Sequence, residues 1–185
     1  ELNRKIADHT SDINLTYTEN SRRYLLAEGF RKDHVFCVGS PLKEVLDFYS
    51  DKINGSLILE KLQLNKKKYI VASIHREENL DIGDNFNSII DALNKVVDLY
   101  DAQLIFSTHP RTKNKIEQLN LKVSSRISFV DPLGFCDYVF LQKNALITLS
   151  DSGTISEEST ILGYKAVSIR TSTERPEAID HGNIV

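Results

Sequence analysis

Residues 69–107 read YIVASIHREENLDIGDNFNSIIDALNKVVDLYDAQLIFS, and the fold turns on this stretch. Tyr69 to Ile74 is a short, β-rich apolar run. Asn85 to Leu99 places Phe86, Ile89, Ile90, Leu93, Val96 and Val97 at helical spacing. Gln103 to Ser107 is apolar again. Strands nearly continuous in apolar residues, separated by an amphipathic helix, indicate a parallel sheet covered on both faces.

Outward from this unit the alternation continues. A short helix over Asn114–Leu119 leads to a strand at Ile127–Val130. A helix at Tyr138–Gln142 precedes a strand at Ala145–Leu149. A helix at Thr154–Leu162, ended by Gly163, precedes a strand at Ala166–Ile169. The expected class is therefore α/β, a doubly wound parallel sheet forming a Rossmann-like domain over residues 66–185. Upstream, Asn14–Thr18 and Val35–Val38 read as strands, Glu19–Glu28 as a helix closed by Gly29, and Pro41–Asn54 as one helix. This is too little to bury its own core. Residues 1–65 are expected to be the C-terminal part of a preceding Rossmann-like domain with its linker helix.

The 185 residues are 41% hydrophobic and 26% charged, as in globular proteins. A net charge of −3 gives no overall attraction to nucleic acid or anionic lipid. No apolar run is long enough for a membrane span, and no signal peptide is visible. Cys37 and Cys136 are too few and too far apart for a disulfide framework or a zinc site, and they read as buried free thiols in a reducing cytoplasm. The chain starts at Glu1, lacks Met, and stops at Asn183-Ile184-Val185 in what reads as a new strand. It is read as a fragment whose second domain is truncated at its C-terminus.

Ligands of doubly wound sheets bind beyond the C-terminal strand ends. There the chain carries His75-Arg76-Glu77-Glu78-Asn79, then Thr108-His109-Pro110-Arg111, then Asp151-Ser152-Gly153-Thr154, then Arg170 through Glu177. At the third of these turns a helix N-terminus favours an anion, Gly153 admits close approach, and Ser152 and Thr154 supply hydroxyls. Glu158, one turn in, can accept a hydrogen-bond pair from a ribose diol. Alternatively, Ser152 or Thr154 caps the helix and Glu157 and Glu158 are favourable first-turn charges. Arg170 and Arg175 fit a pyrophosphate counterion, or else a solvated ion-pair cluster with Glu174 and Glu177. His75 and His109 suit phosphate contact or acid–base work, or a structural role. No HExxH spacing points to a metal, and GxSxG is absent.

In order along the chain, Glu1-Leu2-Asn3-Arg4, Thr18-Glu19-Asn20-Ser21-Arg22, Val38-Gly39-Ser40, His75 to Asn79, Asp151 to Glu158 and Thr173 to Ala178 resemble the non-hydrolysing UDP-N-acetylglucosamine 2-epimerase family. The resemblance spans all of this chain and about the second half of the family's usual one. It implies a two-domain fold of glycosyltransferase-B type and cofactor-independent epimerisation at C2 of a UDP-N-acetylhexosamine, through UDP elimination and re-addition. It implies that His75 is an active-site histidine near the pyrophosphate, and that Glu1 and Arg4 fall in a catalytic glutamate-rich segment. It further implies that the backbone at Tyr138 meets the uracil, that Ser152 and Gly153 hold phosphate, with the Thr154 hydroxyl as a further UDP-binding donor from the turn, that Glu158 holds the ribose, and that Arg175 stabilises departing UDP. His109 matches a histidine that contacts a second, allosteric UDP-sugar in some members. The full-length enzyme is expected to be a cytoplasmic homodimer, and this fragment alone inactive.

Three loops depart from the family's usual pattern: SIHREEN for GHRRE, STHPR for VHLNP, and DSGTISEES for DSGGIQEE. These variants resemble the subfamily that forms UDP-N-acetyl-L-fucosamine from the 2-acetamido-2,6-dideoxy-L-talose nucleotide for capsule or O-antigen polysaccharides. The alternatives are a UDP-GlcNAc/UDP-ManNAc 2-epimerase and, in another class, a glycosyltransferase of the same fold.

Overall fold

A computed structural model describes residues 2–80, 85–108, 110–119 and 121–170. The chain forms two compact units, Glu1–Asp47 and Phe48–Val185.

The first unit holds α1 (Leu2–Thr10), β1 (Asn14–Thr16), α2 (Glu19–Ala27), a 3-10 turn, β2 (Val35–Cys37) and most of α3 (Leu42–Phe48). Strands β1 and β2 pair in parallel, Asn14 opposite Val35 and Thr16 opposite Cys37. Helix α2 starts where the Thr18 hydroxyl accepts from the Ser21 amide at 3.1 Å, satisfying one of the orphan N–H groups of the first turn. It ends at Gly29, whose φ of +99° is a conformation that L side chains rarely adopt. Leu25 and Val35 are buried, while Leu15, Phe36 and Val38 are exposed.

The second unit begins with α4 (Ser50–Asn54) and α5 (Ile58–Lys61), which pack on α9 (Phe135–Asn144). The residue 65/66 boundary expected from sequence therefore falls inside this unit. Ile53, Ile58 and Leu59 are buried here. The expected single helix over Pro41–Asn54 is two helices, interrupted at Tyr49. Cys37 is exposed and Cys136 is half-buried, both free, which corrects the expectation of buried thiols. Cys37 stands at the end of a strand in which only Val35 is buried, and Cys136 lies in the first turn of α9 beside exposed Phe135.

The sheet of this unit comprises β3 (Tyr69–Ser73), β4 (Gln103–Ser107), β5 (Ile127–Val130), β6 (Ile147–Ser150) and β7 (Ala166–Ser168). All four pairings are parallel, in the order β5-β4-β3-β6-β7. The chain runs outward from β3 through β4 to β5, then returns to the other side of β3 with β6 and β7. The connections are α6 (Glu77–Leu80) and α7 (Asn85–Leu99) after β3, α8 (Pro110–Gln118) after β4, α9 after β5, and α10 (Ile155–Leu162) after β6. Ile70, Ala72, Leu104 and Phe106 join Phe86, Ile90, Leu93 and Val97 of α7 in one core cluster. Burying such side chains stabilises the fold by roughly 1.5–3 kcal/mol each. Strand order reverses between β3 and β6, which is where a doubly wound sheet opens its ligand crevice. Ser73 pairs with Ser150 in register, so the loops leaving these two strands start side by side.

Candidate active site

Both strands at the switch point end on small polar residues, and each releases a chemically loaded loop. The β6 loop begins with Asp151, whose side chain is completely buried. A carboxylate in that position requires a full set of donors. The β3 loop supplies them. The His75 amide donates to Asp151 Oδ2 at 3.0 Å, and the Arg76 amide donates to the same oxygen at 2.9 Å. The Asn79 side-chain amide adds a third bond to Oδ2 at 3.0 Å and another to the Ile169 carbonyl at 3.0 Å. His75 Nδ1 lies 3.0 Å from Asp151 Oδ1. The Arg76 Nε donates to the Asp151 carbonyl at 2.8 Å, closing the two loops on each other.

This arrangement sets charges as well as positions. The hydrogen bond to Asp151 raises the His75 imidazole above its ordinary value, against burial and the nearby Arg76 charge. For Asp151, burial pushes the carboxyl up, but the bonds from His75, the Arg76 amide and Asn79 together hold it below its ordinary value. A proton on Nδ1 is the one that this pairing assigns. The ring then offers Nε2 on a side chain that is 57% exposed.

Next in the β6 loop, Ser152 Oγ accepts from the Thr154 amide at 3.3 Å and lies 3.0 Å from Thr154 Oγ1. Thr154 occupies the N-cap position of α10 but its side chain makes no capping bond. It donates instead to Glu158 Oε1 at 2.7 Å. A Cβ built on Gly153 would lie 3.7 Å from Arg170 Nη1 and 3.8 Å from Arg76 Nη2. Two guanidinium groups thus converge on the open face of this glycine, in front of a helix N-terminus. Like charges brought that close favour an anion between them.

Glu158 is held by three donors: Thr154, the Gln142 side-chain amide to Oε2 at 3.1 Å, and the Tyr164 hydroxyl to Oε2 at 3.3 Å. Burial and the Glu158 charge drive the Tyr164 phenol far up, so it remains a donor. Tyr138, on α9, is pushed up to about 12 by burial, opposed by a hydrogen bond with Ser73. Its amide already donates to the Gly134 carbonyl at 2.9 Å. Helix geometry leaves the amides of Phe135, Cys136 and Asp137 without an intrahelical acceptor.

Of the residues expected from sequence, His75, Ser152, Gly153, Thr154 and Glu158 come together on the β3 and β6 loops and the start of α10. Arg4 lies in the first unit, where it pairs with Asp8 and donates to Glu28 Oε1 at 2.8 Å. Glu1, His109 and Arg175 lie outside the described residues. Asp151, Asn79, Gln142 and Tyr164 join the site without a role expected from sequence. Asp151 carried a signal: it is a lone carboxylate at the end of an apolar strand. Among the described residues no group of three or more His, Cys, Asp or Glu is placed to hold a metal ion, and no helix is long and apolar enough to cross a membrane.

A family model described as UDP-N-acetylglucosamine 2-epimerase matches residues 1–185. A structure of UDP-N-acetylglucosamine 2-epimerase from Rickettsia bellii superposes with a TM-score of 0.88 at 44% identity, covering 100% of this chain and 49% of that one. The Methanocaldococcus jannaschii UDP-GlcNAc 2-epimerase, solved with UDP-GlcNAc and UDP, has a TM-score of 0.88 at 30% identity, covering 100% of this chain and 52% of its own. A Pseudomonas aeruginosa UDP-2,3-diacetamido-2,3-dideoxy-D-glucuronate 2-epimerase is 29% identical over 98% of this chain and 50% of its own. The chain spans about half the length of the curated relatives it matches. The fold is α/β of glycosyltransferase-B type, as expected from sequence.

Proposed function

The chain belongs to the UDP-N-acetylglucosamine 2-epimerase family, and on that premise we propose that the protein carrying it epimerises a UDP-N-acetylhexosamine at C2 by eliminating and re-adding UDP. The observation that carries this reading is the His75–Asp151 pair at 3.0 Å, set beside Gly153 and its two guanidinium groups at the sheet's switch point. In the reaction a base takes the C2 proton, the C–H electron pair forms a C1–C2 double bond, and the C1–O bond breaks with its electrons leaving on UDP. Protonation of C2 on the other face and return of UDP to C1 complete the inversion.

This unit is suited to hold the leaving group. A protonated His75 presents Nε2 as a donor to the departing diphosphate, whose charge grows in the transition state. Arg76 and Arg170 flank the place proposed for a phosphate at Gly153, with the Ser152 and Thr154 hydroxyls beside it. Arg175 is proposed for the same charge. Glu158, fixed by Gln142 and Tyr164, is proposed to accept from the ribose in exchange for its bond to Thr154. The uracil is proposed at the first turn of α9, on the amides of Phe135 to Asp137 that lead into Tyr138. Glu1 and Arg4 are proposed for the proton chemistry and His109 for a second UDP-sugar. A cytoplasmic homodimer of the full-length protein belongs to the same reading.

For the sugar we propose the conversion of UDP-2-acetamido-2,6-dideoxy-L-talose to UDP-N-acetyl-L-fucosamine for surface polysaccharide, on the strength of the SIHREEN, STHPR and DSGTISEES loops. The UDP-GlcNAc/UDP-ManNAc pair is the second reading, favoured by the names of the relatives. Turnover of the two nucleotides by the full-length protein in deuterated water decides both questions. Deuterium enters C2 of the product during epimerisation, and the L-talosamine nucleotide turns over faster. Product lacking deuterium at C2 rules out proton abstraction. UDP release that depends on an added sugar acceptor replaces the epimerase with a transferase.

A further inference from the structure

Asp151 makes more contacts with the β3 loop than a counter-charge needs. One fully buried carboxylate takes the two successive amides of His75 and Arg76, the imidazole Nδ1 of His75 and the side-chain amide of Asn79. The imidazole is therefore fixed at both ends of its residue: its backbone and its ring bond to the same group. Rotation about the side-chain torsions would break the Nδ1 contact while the backbone stayed tied. Asn79 extends the restraint to the Ile169 carbonyl just past β7, so β3, β6 and the chain leaving β7 are joined through one side chain and its partner.

We propose that Asp151 is a positioning residue that holds His75 in one tautomer and one orientation, with Nε2 directed to the substrate side, and that couples this orientation to the closure of the β3 loop on β6. The proposal rests on the reading of His75 as the group that meets the departing diphosphate. A carboxylate that fixes a histidine's tautomer from behind is a general device for making the opposite nitrogen a reliable donor or acceptor. The groups facing the pair among the described residues are Arg76 on the same loop, Tyr138 from α9 and Arg170 over Gly153. The nearby Arg76 charge opposes protonation of His75, and Asp151 outweighs it.

The test uses nitrogen NMR on histidine-labelled full-length protein, with the His75 signals assigned by their loss in His75→Gln. In the wild type His75 is expected to titrate above its ordinary 6.5 and, once neutral, to keep its proton on Nδ1. In Asp151→Asn the midpoint falls and the proton distributes over both nitrogens. In the same variant kcat falls roughly tenfold or more while KM for the UDP-sugar changes less, and the basic limb of the pH–rate profile moves to lower pH. A wild-type midpoint at or below 6.5, or an Nε2–H tautomer, overturns the proposal without any Asp151 variant, so a misfolded Asp151→Asn leaves it testable. An unchanged His75 titration in a folded Asp151→Asn also overturns it. Full turnover by His75→Gln, by contrast, removes His75 from the reaction and leaves the positioning of its ring to be judged by the NMR result.

Discussion

Glu158 and Asp151 are both carboxylates met by several donors, yet they stand in different positions with respect to a ligand. Asp151 is sealed, with all its donors drawn from the protein. Glu158 lies half-buried, and one of its three donors is the exposed hydroxyl of Thr154, which a ribose hydroxyl can replace at little cost. Replacing Glu158 with Ala in the full-length protein is expected to weaken UDP binding by ~1–3 kcal/mol, read by calorimetry. Unchanged affinity would remove Glu158 from the nucleotide site.

The His75–Asp151 pair also makes stability depend on pH in a defined direction. The folded pKa of His75 lies above 6.5, so its contribution is fully present below 6.5 and is lost as pH rises through the folded value. The folded pKa of Asp151 lies below 3.8, so its contribution is full above 3.8 and is lost as pH falls through the folded value. The pair therefore stabilises the fold between these limits. Urea midpoints measured across pH should show the wild type losing its advantage over His75→Gln on the alkaline side of 6.5. A difference between the two proteins that stays constant from pH 5 to pH 9 contradicts the assignment.

At the scale of elements, legibility followed burial. Helix α7 was bounded correctly at Asn85 and Leu99 because its apolar face is continuous and enters the core. Strands β3, β4 and β6 were located because both faces of a central parallel strand are buried, which leaves runs such as YIVAS, while the edge strands β5 and β7 are short apolar runs that are only partly buried. Helix α1 was missed because it is short and mostly polar: Leu2 and Ile6 are its only large apolar residues, and none of its residues is buried. The break at Tyr49 was missed because Leu42 to Asn54 keeps helical composition throughout, without Gly or Pro inside it. Helix α8 opens on Pro110, a first-turn position where a missing N–H costs nothing, and the sequence reading began it four residues late. The end of α10 was read from Gly163, whose φ is +69°. Gly163→Ala forces an L side chain into that region and is expected to destabilise the protein by roughly 1–2 kcal/mol in urea. No change in midpoint would mean that the helix ends by another route.

At the scale of the whole molecule, the alternation of strands and helices conveyed the class, and strand order was what it left unsaid. The order β5-β4-β3-β6-β7 is a tertiary fact, and it alone makes His75 and Asp151 neighbours. That is why the motif residues around His75 and around Ser152 were recognised separately, while the carboxylate joining them received no role. The residue 65/66 boundary was misplaced for a related reason: α4 and α5 look like a linker in sequence but bury Ile53, Ile58 and Leu59 in the second unit.

One tie described above makes the β3 loop an internal clock for its own opening. The amides of His75 and Arg76 lie outside any helix or strand, where peptide hydrogens normally trade with solvent within seconds to minutes of local fraying. Here both are bonded to a carboxylate that arrives from a strand about seventy-five residues later and is itself shut off from water. Releasing them requires the β3 loop to lift off that buried carboxylate and break its other bonds to His75 and Asn79 as well. Their hydrogen–deuterium exchange should therefore run far more slowly than that of exposed loop amides such as Lys66. The protein would then report the integrity of its own site through two loop hydrogens, with no substrate present.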